Sequence, residues 1–315
     1  MSDRNHIPII DFQCFNVENV NHIDISDQNV QAAAKNLCDA FKNIGFAYLK
    51  NHGSCEVELS KLKSLYDAFF DLPLDVKKKH VRRGDENNGY VSVEMERLNP
   101  SRPGDFKEAF NVTPKTMKVW PNAEVPGFEE GVRRFFDKAT ALAQRVLQAM
   151  AIGLQLEDPD FFRKCHNVES SSIANMTALR VLRYPPLDGA DIKPNQIRCG
   201  EHSDYGSITL VFQDDAGGLE VQGLDGEYKP ATPIPGTVIV NLGDLMQQWT
   251  ADQLKSTKHR VVIPAEEASR KVKRTSVIYF MHPDDDCLIE CLDGSNKYPP
   301  VTSYQWLVSR FAQTY

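Results

Sequence analysis

Several absences narrow what this chain of 315 residues can be. It has no C-x-x-C: its seven cysteines stand at 14, 38, 55, 165, 199, 287 and 291, and only Cys287 and Cys291 lie close together. An odd count so spaced makes a poor disulfide framework and a poor thiolate metal site, and it suits a reducing cytoplasm. No window approaches the ~20 apolar residues of a membrane span. The start, "MSDRNHIPIIDF", lacks the apolar core of a secretory signal. Positive charge is also short. With Lys+Arg 36 against Asp+Glu 43 the formal charge is -7, so no nucleic-acid partner is expected, since phosphates need a basic footprint. The best candidate for a local basic patch, "KKKHVRR" at 77–83, reads as a solvated helix or loop. Neither G-x-G-x-x-G nor G-x-x-x-x-G-K occurs, which removes the phosphate cradles, and there is no repeat or Gly/Ser linker.

What is present is an ordinary globular composition, 41% hydrophobic and 25% charged. The first half predicts helices after a short strand, "IPIIDF". Ser26 and Asp27 stand where a cap is expected, ahead of Val30, Ala33, Ala34, Leu37, Phe41 and Ile44 at helical spacing. "GFAYLKNHG" predicts a strand closed by a turn that holds His52. Further helices are expected at 57–69, beyond Pro73, and at 128–152, where a wide apolar stripe suits packing against a sheet. From about 177 the texture changes to short runs rich in Val, Ile and Thr, separated by Gly, Pro and Asp. With no long helix between them, they predict a sandwich or double-sheet barrel rather than βαβ units, with the helices packed outside. A last helix, "SYQWLVSRFAQTY", suits either the barrel's own edge or a neighbouring copy, so the oligomeric state stays open.

Three short stretches carry chemistry. In "EHSDYGSITLVFQDDAGG" at 201–218, His202 and Asp204 alternate onto one side of an extended segment, where an imidazole and a carboxylate reach one ion. Ser203 points the other way, which sets aside a hydrolytic triad. Alone, H-x-D is equally a polar turn. His259, in "KSTKHRVVIP", opens a later β run; two His and a carboxylate make the facial triad of non-haem Fe(II) oxygenases, although catalytic zinc uses the same set. In "RTSVIYF", Arg274 and Ser276 alternate onto one face, and an Arg fork beside a hydroxyl suits a carboxylate, with Tyr184 of "VLRYPP" as a further donor. A surface salt bridge would explain Arg274 as well. Asp214 and Asp215 read as a turn. The histidines at 6, 22, 52, 80, 166 and 282 lack a comparable setting.

These stretches, with "NNGYVSVEMER" at 87–97, "DFKEAFNV" at 105–112 and "PGTVIVNLGDLMQQWTADQLKSTKHRVV" at 235–262, resemble the Fe(II)- and 2-oxoglutarate-dependent oxygenases of the isopenicillin N synthase-like family, nearly end to end. The resemblance implies a mainly β fold with flanking helices and a double-stranded β-helix (jelly-roll) core. Residues 1–315 would be one oxygenase domain, with a helix-rich part at 1–170 packed on core strands at 177–285. It implies His202, Asp204 and His259 as iron ligands, and Arg274, Ser276 and Tyr184 as the clamp on 2-oxoglutarate. The activity implied is hydroxylation of a small organic molecule with Fe(II), 2-oxoglutarate and O2, releasing succinate and CO2, with ascorbate supporting activity in vitro. Desaturation or ring formation, an oxidase that uses no 2-oxoglutarate, and an inactive binding or scaffold protein are the alternatives. The insertion "PAEEASRKVK" is similar to the fungal and bacterial branch that includes thymine 7-hydroxylase. That likeness implies Tyr205 and Phe280 as a sandwich on a flat substrate and Arg180 as a polar contact. Tyr90, Phe110 and Trp249 are candidate wall residues of a partly aromatic pocket.

Overall fold

The computed structural model describes residues 6–18, 22–53, 56–82, 87–113, 116–168, 174–187, 190–263 and 272–314. An eight-stranded sheet runs in the order β1 (Ile9–Asp11), β2 (Phe46–Lys50), β10 (Thr237–Leu242), β7 (Ile208–Gln213), β12 (Arg274–Met281), β5 (Ala178–Tyr184), β4 (Glu108–Val112) and β3 (Gly89–Val91). A four-stranded sheet runs β6 (Cys199–His202), β11 (His259–Val261), β8 (Leu219–Gln222), β9 (Tyr228–Pro230), and β13 (Leu288–Ile289) pairs with β14 (Val301–Thr302). From β5 to β12 the chain passes back and forth between the two large sheets. This is the double-stranded β-helix, or jelly roll, with helices outside it.

Those helices are α1 (Gln28–Asn43), α2 (Glu56–Phe70), α3 (Leu74–Lys77), α4 (Phe128–Gly153), α5 (Phe161–Lys164), α6 (Asp244–Trp249) and α7 (Ser303–Thr314). Asp27 caps α1 by accepting from the Asn29 amide at 2.6 Å, whereas Ser26 turns to Asp24 instead. The stripe on α4 covers the outer face of the large sheet: Phe135 meets Phe212 edge-on at 5.3 Å, and Phe136 meets Tyr279 at 5.2 Å. Helices α1 and α2 pack on α4 in turn. Fully burying such a side chain contributes about 1.5–3 kcal/mol. Among the described residues no helix is long and apolar enough to cross a membrane.

Strand alternation divides the large sheet between two cores. Leu179, Val181, Val277 and Tyr279 join the cluster shared with the helices, whereas Leu182, Tyr184 and Val211 belong to a smaller cluster between the sheets. The two expected strands of the N-terminal half, β1 and β2, join the large sheet, and two unexpected ones, β3 and β4, join it as well. "NNGYV" and "KEAFNV" are too short and too polar to announce a strand alone; pairing with β5 makes them strands. The basic run also differs from expectation. Lys77 is buried, and its ammonium donates to Glu108 Oε2 and the Phe70 carbonyl, both at 2.9 Å. Lys78 and Lys79 are exposed, and Arg83 lies outside the described residues, as does most of the 264–273 insertion.

Candidate active site

Between the sheets lies a cavity of about 120 Å³. His202 ends β6 and His259 begins β11, directly opposite it in register. Their rings are 4.3 Å apart, and Asp204 stands in the turn that follows β6. The carboxylate Oδ1 is 3.9 Å from His202 Nε2 and 3.8 Å from His259 Nε2. One nitrogen or oxygen from each of the three lies within 4.8 Å of the others. Each imidazole is held from behind: His202 Nδ1 lies 2.8 Å from the Gly200 carbonyl and His259 Nδ1 lies 3.1 Å from the Thr257 carbonyl. A carbonyl only accepts, so each Nδ1 donates and each Nε2 is turned toward the carboxylate.

Burial, and then the neighbouring His259, push His202 down to about 3, which keeps it a neutral ligand near neutrality. Asp204 is lowered as well, which keeps it charged. Burial favours its protonated form, but the facing imidazoles and hydrogen bonds from Thr209 and Asn241 hold it below the usual carboxylate range. Gly206 makes this turn possible, because a Cβ there would sit 2.1 Å from His282 Nδ1.

The far end of the cavity is built for an anion. Arg274, Ser276, Ile278 and Phe280 all face inward from β12. Arg274 is buried over the Tyr184 ring at 4.8 Å, and its Nε donates to the Gly217 carbonyl at 2.6 Å. Arg274 Nη1 and the Tyr184 hydroxyl are buried with no partner among the described residues. Burial pushes the Tyr184 phenol up to about 12, so it stays a donor. A buried guanidinium nitrogen left bare is costly, and a carboxylate with its lone pairs is the group that would relieve it. Two imidazoles and one carboxylate, with no thiolate among them, suit Fe(II) with several positions open.

This geometry agrees with what the chain is similar to. Residues 175–283 match the 2OG-Fe(II) oxygenase superfamily, and residues 7–127 match the N-terminal family described as non-haem dioxygenase in morphine synthesis. The chain belongs to the 2OG-Fe(II) oxygenases. It is 32% identical to the proline hydroxylase buaE of Petromyces alliaceus, over 95% of this chain and 99% of that relative. The crystal structure of a full-length Neurospora crassa protein in complex with alpha-KG and thymine superposes with a TM-score of 0.85 at 32% identity, covering 100% of this chain and 99% of that one. The C-terminally truncated apo form of the Neurospora protein gives 0.71, covering 90% of this chain. This oxygenase therefore carries a His/Asp/His metal triad and a 2-oxoglutarate site, and acts on a small organic molecule.

The other residues singled out in the sequence divide by strand face. Arg180, Tyr205 and Phe280 line the cavity. Arg180 pairs with the buried Glu96, whose carboxyl burial would raise but Arg180, Lys107 and Arg82 hold at about 2. Tyr90 and Phe110 do not reach the cavity. They are register partners on the outer face of β3 and β4, where Phe110 packs on Phe69 at 4.8 Å and Tyr90 donates to Glu108 at 2.7 Å. One residue along, alternation turns Asn111 inward instead. Trp249 is also a core residue, because α6 aims it at Phe162, 5.2 Å away.

The cavity wall includes residues the sequence reading passed over: Asn87, Lys107, Thr209, Asn241, His282 and Phe311. His282, set aside in the sequence, continues the even-numbered series 274, 276, 278, 280, and period two is the signal that could have marked it. Phe311 carries no such signal. It comes from α7, whose Trp306 indole donates to the Tyr205 carbonyl at 2.8 Å, while Phe311 meets the Tyr205 ring at 6.1 Å.

Proposed function

We propose that residues 1–315 act as one oxygenase domain that hydroxylates a small, flat, amide-bearing molecule and converts 2-oxoglutarate to succinate and CO2. Residues 177–285 would supply the core and 1–170 the helix-rich part packed on it. In this reading His202, Asp204 and His259 hold Fe(II), while Arg274, Ser276 and Tyr184 bind the far carboxylate of 2-oxoglutarate. Bound iron and co-substrate supply the oxidising chemistry by activating dioxygen. The chain's own residues place the reactants side by side and shield them from water.

One observation carries the substrate class. Asn111 and Arg180 are register partners on the cavity face, and Asn111 Oδ1 is buried with no partner among the described residues. Asn111 Nδ2 already donates to Asn87 Oδ1 at 2.8 Å, so its oxygen is left to accept from a substrate N–H. Tyr205 and Phe280 add aromatic surface for a flat ring. A pyrimidine base or cyclic lactam has this combination of edge and face, and a related chain is known bound to thymine. Nothing in the net charge of -7 favours a nucleic-acid strand over a free small molecule. A reducing cytoplasm is the compartment that fits the cysteine pattern.

The test is turnover followed by mass spectrometry with Fe(II), ascorbate and 2-oxoglutarate, offered thymine, uracil, cyclic lactams, L-proline and phenolic acids. The expected product is one oxygen heavier than its substrate, with one succinate released per product. A product two hydrogens lighter would instead make this a desaturating or ring-forming enzyme. Turnover without succinate would identify an oxidase that uses no 2-oxoglutarate. Preference for phenolic acids over every N–H-bearing ring would sink the amide reading. Omitting ascorbate is expected to shorten the active period without changing the product.

A further inference from the structure

The metal triad leaves one oxygen of Asp204 unaccounted for. Oδ1 faces both imidazoles, but Oδ2 points into the large sheet. There it accepts from the Thr209 hydroxyl at 2.6 Å and from Asn241 Nδ2 at 2.6 Å. Thr209 and Asn241 are register partners on β7 and β10, so one rung of the sheet presents both donors at the same height. Both are buried, Asn241 completely, and both line the cavity. The directions of these bonds are fixed by chemistry. An ionised carboxylate only accepts, so the hydroxyl must donate, and the amide must offer its nitrogen.

We infer that Thr209 and Asn241 are positioning residues that hold Asp204 to one-oxygen coordination, keeping three of the metal's six positions open. The inference rests on the metal site described above. Oδ2 already accepts two short bonds, so that oxygen cannot turn to the ion without stripping two buried donors of their acceptor. Each such loss is unfavourable, because a buried donor without an acceptor keeps its full desolvation penalty. Oδ1 is left as the only carboxylate oxygen available to the ion. This matters because 2-oxoglutarate, as a two-point chelate, takes two positions and dioxygen needs the third. A carboxylate free to swing into two-oxygen binding would occupy that third position.

The experiment uses the full chain loaded with Mn(II) and measures water-proton relaxation per bound ion, which reports how many positions water still reaches. The variants are Thr209→Val, Asn241→Ala, the double variant and Thr209→Ser, with folding followed by circular dichroism. Going from three open positions to two, the double variant is expected to lose about one third of the relaxation enhancement per bound ion. Its turnover should fall about 10–100-fold, as for other residues that orient a metal ligand. Thr209→Ser keeps the hydroxyl and should keep both properties.

If the double variant does not fold, Thr209→Val carries the test alone, since it preserves shape and removes only the donor. Unchanged relaxation per bound ion in a folded Thr209→Val or double variant would overturn the inference, as would an equal loss in Thr209→Ser. Failure of the parent protein to bind Mn(II) would be a different result. It would remove the metal-site reading itself, and this inference with it.

Discussion

On the proposed reading, the residue that would separate binding of 2-oxoglutarate from binding of the metal is Arg274, whose Nη1 is buried without a partner among the described residues while its Nε is anchored to Gly217. Arg274→Ala is expected to weaken 2-oxoglutarate by about 1.5–3 kcal/mol, roughly a 10–100-fold rise in its KM. Mn(II) affinity should stay unchanged, and isothermal titration against each ligand checks both. Glu96 gives a prediction about stability. Removing one partner of a buried ion cluster costs about 3–5 kcal/mol, so Glu96→Gln should lower urea stability by that amount near neutral pH. Its folded-state carboxyl is held at about 2, below the ordinary value of 4.5. Its stabilisation is therefore full above about 4.5 and is lost as pH falls through about 2. The gap between parent and variant should narrow across that window. His202, Asp204, Arg274 and Ser276 were legible in sequence because alternation along one extended segment is local. Tyr90 and Phe110 were not, because which face of a two-strand edge meets the cavity depends on what covers the other face.

At the scale of elements, α7 is the piece whose role the sequence left undecided. It packs on Tyr205 through Trp306 and Phe311, Arg310 pairs with Asp244, and Leu307 is buried. Deleting 303–315 removes Phe311 from the cavity wall and the support behind Tyr205. Losing burial of one such side chain costs about 1.5–3 kcal/mol, so KM for the organic substrate should rise roughly tenfold or more. Mn(II) binding should persist, since all three ligands lie on β6, β11 and the turn between β6 and β7; steady-state kinetics beside metal titration tests the split. Helices α1, α2 and α4 were readable because an apolar stripe at helical spacing is a local pattern. Strands β3 and β4 were not, since three to five residues acquire strand geometry only by pairing.

For the whole molecule, the metal and 2-oxoglutarate should act as stabilisers of the fold, because they bridge segments more than fifty residues apart that no unfolded chain holds together. Mn(II) with 2-oxoglutarate at a hundredfold excess over their joint dissociation constant adds about 2.7 kcal/mol. Melting with and without a chelator measures it. His202→Ala should abolish the metal's share of that gain, and a melting temperature that responds equally in the variant would refute it.

Sequence by itself determined the class of chemistry and the class of fold. His202 with Asp204 and Arg274 with Ser276 are period-two patterns that, with the later His259, point to the chemistry once the end-to-end family resemblance is added, and the short strands without intervening helices admit few architectures. Tertiary structure decided what fills the rest of the site. Thr209 and Asn241 meet on one rung, Asn111 turns in where Phe110 turns out, and Phe311 arrives from the far end of the chain. The physical reason is that a ligand's residue type is written in one place, whereas its support and its neighbours come from strands and helices brought together only by pairing and packing.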